Sequence, residues 1–389
     1  MKIPLNQEEQ QVLDEVRRFF AQEITPELLE ESHHLEYIYG GEEGRKFVQK
    51  FAPKGWLTPC WPKEYGGLET SEMLMYAIRN EMAYHRVPIH FAGAHMAGPS
   101  ILRYGTEEMK KEYLPRLATG EIEFALGYSE PAAGSDLMAL EMHAADKGDH
   151  FLVNGQKTFN THAHVADYHW LAVRTNLEGP KHKGISILIV DLKNTPGITV
   201  RPMITMAGTR TNEVFYDNVK VPRRNLVGEV NSGFKYIMAA LDFERMFPWG
   251  HYKKYFEEIL AYTKTATRNG KPLAKDPLIR QKLAEHATEL EVIHHLYFNL
   301  AHLLDNGKIP NYQASMEKNF LSEFEQRLSN TAMEILGPMG QLKTGSKHAV
   351  LEGFPEWLYR WTIIETIYGG SAEIQRNIMA QRGLGLPRA

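Results

Sequence analysis

Gly127-Tyr-Ser-Glu-Pro-Ala-Ala-Gly-Ser-Asp136 stands where one texture of the sequence gives way to another. On its N-terminal side apolar residues recur at helical steps, as in Val12, Leu13, Val16, Phe19, Phe20 and Ile24, which makes one buried face. Asn6 with Glu9 predicts the cap of the first helix, and further helices are expected near Met73–Tyr84, Ala94–Tyr104 and Glu107–Leu117. On its C-terminal side short β-branched and aromatic runs follow one another: the run from Phe151, then Trp170–Arg174, Gly184–Leu192, Ile198–Pro202 and Glu213–Val221. They are separated by turn residues rather than helices, and Asn154-Gly155 inside the first is the strongest short hairpin signal. From Gly233 helical spacing returns over Phe234–Phe247, His251–Arg268, Ile279–Asp305, Tyr312–Leu336 and Phe354–Arg382, broken most clearly at Arg268–Pro277. The expected fold is therefore α+β: an N-terminal all-α domain over residues 1–125, a middle antiparallel β-sheet or barrel over 126–232, and a C-terminal α-helical bundle over 233–389.

Composition narrows the function. The chain has 389 residues, 43% apolar and 24% charged, with a net charge of −4, so it lacks the basic face that nucleic-acid binding needs. Its single cysteine, Cys60, excludes an intramolecular disulfide and any Cys-based zinc or iron–sulfur centre within the chain. No apolar run approaches the length of a membrane span, and Ile185–Val190 reads as a buried strand. The N-terminal residues carry neither a signal core nor an Arg-rich transit pattern, and a cytoplasmic protein is expected. Gly-x-Gly-x-x-Gly after a strand, the phosphate-binding P-loop, Gly-x-Ser-x-Gly and His-Glu-x-x-His are all missing, which disfavours Rossmann, nucleotide-hydrolysing, α/β-hydrolase and zinc-protease chemistry. Among the 17 histidines, His162 with His164 are expected on one strand face and His295 with His302 on one helix face. Neither pair has a third ligand by spacing, and no metal is predicted.

The opening loop packs hydroxyls, glycine and backbone donors into ten residues, a composition that suits either a domain-joining turn or close approach to a flat or anionic ligand. A second stretch, Ile367-Tyr-Gly-Gly-Ser-Ala-Glu-Ile-Gln-Arg376, sets two glycines and a serine at the start of a final helix. Together these two segments resemble the paired signatures of the acyl-CoA dehydrogenase family. Ser129 takes the Thr position of the family's Thr-Glu-Pro-x-Ala-Gly-Ser-Asp loop, and the second stretch is similar to its Gly-Gly-Thr/Ser-x-Glu-Ile-Gln-Arg segment. Asn154-Gly-Gln-Lys157 with Phe159-Asn-Thr161, and Phe215-Tyr-Asp-Asn-Val-Lys-Val-Pro222 with Asn225 and Gly228-Glu229, also match in order.

The resemblance implies non-covalently bound FAD. It places Ser129, Gly134 and Ser135 along the flavin ring and phosphates, and Phe159 and Thr161 against the ring, the Thr hydroxyl near flavin N5. Phe159 stands where many members have Trp, which keeps stacking and removes an N–H donor. Arg268 corresponds to an arginine on the pyrophosphate of a neighbouring subunit's FAD, with Arg280 a second candidate. Gly337 and Gly340 match the loop at the adenine end, where Glu334 replaces the family's Gln, and Gly370, Ser371 and Glu373 match the loop that closes over the cofactor.

The family's reaction removes an α-proton from an acyl thioester and passes the β-hydrogen to the flavin as hydride, so it needs a desolvated carboxylate and donors to the thioester oxygen. Many members carry that Glu just before the Gly-Thr/Ser of the C-terminal motif; here the residue is Gly369. The branch that includes isovaleryl-CoA and long-chain dehydrogenases places it instead in a Leu-Asp-x-Glu-Arg-like segment. Leu241-Asp-Phe-Glu-Arg245 is similar to that pattern, which makes Glu244 the expected base, with Arg245 assigned to the substrate and the Gly369 N–H to the thioester oxygen. Pro248 lies four residues beyond Glu244 and cannot donate to its carbonyl, so the helix is expected to end or kink there, with Phe247-Pro-Trp-Gly250 shaping the acyl pocket. His90, His95 and Trp249 suit either the acyl pocket or ordinary packing.

The expected activity is formation of a trans-2-enoyl-CoA from an acyl-CoA, with electrons passed to an electron-transfer flavoprotein. A bare Gly369 favours branched, cyclic or bulky acyl groups. The expected assembly is a homotetramer, a dimer of dimers. An oxygen-using acyl-CoA oxidase or nitroalkane-oxidase-like relative is the enzymatic alternative. A non-catalytic FAD-binding subunit of a mixed tetramer is the other.

Overall fold

The first helix starts as its residues dictate. Glu9 N–H donates to the Asn6 side chain at 2.9 Å and Asn6 N–H to the Glu9 carboxylate at 3.1 Å, a closed capping box. The computed structural model describes residues 3–33, 41–87, 92–244 and 247–387. Its helical N-terminal part holds α1 (Gln7–Glu23), α2 (Pro26–His33), α3 (Glu42–Phe51), α4 (Glu72–Tyr84), α5 (Gly98–Tyr104) and α6 (Glu107–Ala118). Seven strands follow: β1 (Phe124–Gly127), β2 (His143–Asp146), β3 (His150–Lys157), β4 (Tyr168–Arg174), β5 (Ile185–Asp191), β6 (Ile198–Ile204) and β7 (Arg210–Pro222). The C-terminal part holds α7 (Gly233–Glu244), α8 (Gly250–Thr265), the short strands β8 (Thr267–Arg268) and β9 (Lys271–Pro272), then α9 (Pro277–Asp305), α10 (Tyr312–Leu336), α11 (Phe354–Glu365) and α12 (Ala372–Ile378). The α+β class and the α, β, α succession are as expected.

The chain folds as two compact units. The sheet unit, Pro26–Thr70 with Pro88–Glu244, is built on a sheet in the order β1-β4-β2-β3-β7-β6, with β5 also on β4. Successive side chains of a strand point to opposite faces. Trp170 and Ala172 of β4 and Ile187 and Ile189 of β5 therefore enter one core with Leu114, Leu117 and Ile237 of the helices. Leu171, Val173, Leu188 and Val190 enter a second core with Phe151, Val153, Val214 and Val219. Burial on both faces is why β4 and β5 read as continuous apolar runs.

Three local expectations change. The sheet is mixed rather than wholly antiparallel, because β1 runs parallel to β4 from Phe124↔Tyr168 to Gly127↔Leu171, a pairing made possible by the excursion through β2 and β3. Asn154-Gly155 is no hairpin: β3 runs straight through it, and the register against β7 shifts between Val153 and Gly155. Gly155 has φ 141, and a Cβ there would stand 3.0 Å from the Met142 Cα. Gly155 pairs with Tyr216 and Val153 with Val219, so Asp217 and Asn218 face the single Asn154; Asn218 has φ 49 and donates its N–H to the Asn154 side chain at 2.8 Å, a β-bulge in β7. The reversal between β2 and β3 lies instead at Gly148, φ 93. His162 and His164 occupy a turn and not a strand face, with His162 at φ 67.

The second unit, Met1–Thr25, Ser71–Val87 and Arg245–Ala389, is helical. α4 packs on α8 and α9, and α10 packs on α8, α9, α11 and α12. α7 is described as far as Glu244 and the next helix starts at Gly250, with Phe247-Pro248-Trp249 outside helix, as Pro248 predicts. The helix expected to run to Arg268 ends at Thr265, and β8 and β9 form a hairpin around Asn269 (φ 52) and Gly270 (φ 74). The run from Phe354 breaks between α11 and α12 at Gly369 (φ 64) and Gly370 (φ 91). No helix among the described residues is long and apolar enough to cross a membrane.

The bulge is testable. Gly155→Ala is expected to lower unfolding stability by about 2 kcal/mol, and Gly148→Ala, where a Cβ meets open space, by about 1 kcal/mol. Denaturant midpoints followed by circular dichroism measure both; a larger loss at Gly148 would contradict the bulge.

Candidate active site

In the sheet unit the 127–136 loop and the turn after β3 are tied together. Lys157, the last residue of β3, points inward and its side chain is wholly buried. Its ammonium donates to the Glu130 carboxylate at 2.7 Å and to the Tyr128 carbonyl at 3.1 Å. The same carboxylate accepts the N–H groups of Glu141 at 2.6 Å and Met142 at 3.0 Å. Burial pushes the Lys157 ammonium down to about 8 against the pull of Glu130. Glu130 and Ala133 close a turn by reciprocal backbone bonds, and Thr158 N–H donates to the Ser129 carbonyl at 2.9 Å. Beneath the loop, His169 bonds the Tyr216 hydroxyl at 2.8 Å, and a Cβ on Gly127 would lie 2.4 Å from its Nε2.

This frame brings Ser129 to the Phe159 turn. Phe159 has φ 58 and is 61% exposed, so a bulky ring is held at a strained backbone angle and offered to solvent. Thr161 lies beside it with its hydroxyl 3.4 Å from that of Thr211. Gly134 and Ser135 are exposed on the same loop, with open space where a Gly134 Cβ would stand. A flat apolar face beside hydroxyls and open backbone suits a planar heteroaromatic ring. Glu130 and Lys157, which build it, lie inside the two motifs without a role assigned to either; the signal for their pairing is a lysine at an inward position of an alternating strand.

In the helical unit Arg268 and Gly337 line one cleft of about 350 Å³ with Tyr262, Leu273, Glu334 and Met339. The Arg268 guanidinium donates to the carbonyls of Glu334 at 3.0 Å and Ile335 at 2.9 Å, at the C-terminal end of α10, where helix carbonyls lack partners. The Glu334 carboxylate turns to Lys282. Gly340 is buried against Met333 and Leu336, and Arg280 donates to the Ala274 carbonyl at 3.4 Å; neither lines the cleft. A fixed cation at a backbone-lined cleft suits a phosphate-bearing group.

Gly369 and Gly370 share a turn in which both carbonyls accept the Gln375 side-chain amide, at 2.8 and 3.1 Å. Ser371 caps α12 by accepting from Ile374 N–H at 3.4 Å. The exposed Glu373 carboxyl is held below its usual range by the Ser371 hydroxyl and the helix start.

Glu244 is the last residue of α7, which packs in the sheet unit on α5 and on a π-helical turn over Gly93–Ala97. Its side chain, and all of Arg245 and His90, lie outside the described residues. His95 is buried in that turn with Nε2 3.0 Å from the Leu57 carbonyl. Trp249 is buried edge-on to His294 at 5.2 Å in the helical unit, and its indole N–H has no partner among the described residues.

Profiles of the acyl-CoA dehydrogenase N-terminal, middle and C-terminal domains match residues 6–121, 125–219 and 231–384, and the chain belongs to this family. It is 37% identical over 402 residues to acyl-CoA dehydrogenase FadE26 of Mycobacterium tuberculosis, covering 100% of both. Among solved structures it resembles the Tcur3481-Tcur3483 steroid ACAD with a TM-score of 0.91, at 34% identity over 100% of both chains. It also resembles a chain of the ChsE4-ChsE5 complex from Mycobacterium tuberculosis with a TM-score of 0.90, at 35% identity over 100% of both. Members are FAD-dependent oxidoreductases acting on CH–CH bonds.

Removing one partner of a buried ion pair costs about 3–5 kcal/mol. Lys157→Met is therefore expected to loosen the Ser129 loop, so that the protein purifies with less than half the wild-type FAD by absorbance. Full FAD content with unchanged melting would refute the role given to this pair.

Proposed function

We propose that the chain catalyses α,β-dehydrogenation of an acyl-CoA thioester to the trans-2-enoyl-CoA, with Glu244 as the base. The carrying observation is the pair of positions that compete for that role. Gly369 has no side chain, whereas Glu244 lies in α7, four residues ahead of Pro248 in a stretch, Phe247–Trp249, that is outside helix.

The cofactor fits the residues present. Ser129, Gly134, Ser135, Phe159 and Thr161 would hold its ring end. Arg268 would hold the pyrophosphate of a neighbouring subunit's FAD, Gly337 and Gly340 the adenine end, and Gly370, Ser371 and Glu373 would form the loop that closes over the cofactor. Bound FAD supplies the hydride acceptor. Glu244 takes the α-proton onto a carboxylate oxygen, and the Gly369 N–H donates to the thioester oxygen, where charge builds as the proton leaves. Arg245 and Trp249 are assigned to the acyl-CoA, and an electron-transfer flavoprotein to the electrons. The three-domain division at 125/126 and 232/233 and a cytoplasmic location belong to the same reading.

A bare Gly369 supports bulky, ring-bearing acyl groups, and so does the likeness to a protein described as a steroid ACAD. A homotetramer is the first assembly proposed. A mixed assembly is the second, favoured by the likeness to structures titled with two chain names, Tcur3481-Tcur3483 and ChsE4-ChsE5.

Anaerobic titration with straight, branched and ring-bearing acyl-CoAs, following flavin bleaching, tests substrate and base together. Ring-bearing thioesters are expected to bleach the flavin at the lowest concentrations, and Glu244→Gln to bind FAD yet lose at least about 1,000-fold in reduction rate. Full reduction in that variant removes Glu244 as base. Hydrogen peroxide formed in air without an added acceptor favours the oxidase reading. Failure to hold FAD or to bleach when purified alone favours the subunit of a mixed assembly.

A further inference from the structure

α10 carries charge where the core of a helical unit ordinarily has none. Glu317, Lys318 and Glu325 are buried along it, and Glu365 is buried at the end of α11. Burial pushes all three carboxyls up, while Lys318 pulls the other way on each of them. The Trp361 indole donates to the Glu365 carboxylate at 2.6 Å. A buried ammonium costs several kcal/mol in desolvation, and Met would fill much the same volume. The charge must therefore do something that packing does not.

What it does is visible in its contacts. Lys318 Nζ donates to the Glu365 carbonyl at 2.6 Å, the point where α11 gives way to the Gly369-Gly370 turn. The same ammonium lies 5.6 Å from the ring centroid of Tyr368, the residue before Gly369. The Tyr368 ring meets Phe247 edge-on at 5.5 Å, three residues past Glu244. Ala372 N–H donates to the Thr366 carbonyl at 2.9 Å and closes the turn from its far side.

We propose that Lys318 is a positioning residue: it fastens the Thr366–Ser371 turn, with its Gly369 amide, to α10, and through Tyr368 it holds the Phe247 ring against that turn. The proposal rests on the reading of Glu244 as base and the Gly369 N–H as donor. A misplacement of about 1 Å at such groups costs about 100-fold in rate. An ammonium held by a carbonyl and a ring sets position without touching the substrate.

The test uses the FAD-loaded enzyme and the acyl-CoA of the panel above that bleaches the flavin fastest. Stopped-flow reduction gives the limiting rate and Kd separately, and hydrogen exchange reports on the peptide holding Tyr368–Ser371. Lys318→Met is expected to lower the limiting rate about 10- to 100-fold with Kd within about threefold. Exchange in that peptide quickens about tenfold or more. Lys318→Arg, which keeps a cationic donor, recovers most of the rate. A wild-type rate in Lys318→Met overturns the proposal, as does an equal loss in Lys318→Arg. If Lys318→Met does not fold, Tyr368→Leu, which cuts the link to Phe247, must show the same split between rate and Kd, and a wild-type rate there overturns the proposal. Glu244→Gln separates the two levels. If it still reduces the flavin, the underlying reading has failed; if it is inactive while Lys318→Met is fully active, only the positioning role has.

Discussion

The buried pair of Lys157 and Glu130 is the constraint on which the loops at the rim of the sheet unit depend. A glutamate that accepts two backbone N–H groups and a lysine ammonium has its position set from three directions. The loop that carries it cannot drift, and Ser129 is held against the turn that presents Phe159. Removal of either partner leaves the other charged and buried, which costs far more than the pair contributes. Stability and loop geometry are thus governed by the same contact.

That frame also explains how a strained aromatic is tolerated. A non-glycine residue in the left-handed region costs about 1–3 kcal/mol and persists only where its neighbours leave no alternative. Phe159 is flanked by the buried Thr158 and Asn160, the latter paired with Asn212 through reciprocal bonds at 2.9 Å. Local order on both sides pins the angle, so the ring faces outward and is ready to stack. The helical unit works by a different device. There Arg268 satisfies the free carbonyls at the end of α10, and the last turn of that helix becomes one wall of a cleft.

Much of this was legible from residues alone, and the exceptions share a cause. The capping box at Asn6, the helix break before Trp249 and the bounds of α10 follow from local chemistry, and they stand as expected. Asn-Gly shows the limit of that kind of reading. At Asn269-Gly270 the dipeptide makes the hairpin its conformational preference favours, because among the described residues no other strand pairs with the flanking ones. At Asn154-Gly155 the same dipeptide lies inside a strand, because β7 pairs along its length and the register slip needs a residue without a Cβ beside Met142.

The order of elements, the helix caps and breaks, and the ordered motifs that mark the family are readable along the chain, since each depends on residues close together in it. That β1 runs parallel to β4, that Lys157 meets Glu130 and that Lys318 lies beneath Tyr368 emerges with folding. Those contacts join residues about 27 to 50 positions apart. Their partners are selected by burial, and a buried charge accepts whatever carbonyl, carboxylate or ring the fold brings within reach. Spacing along the chain carries no record of that choice.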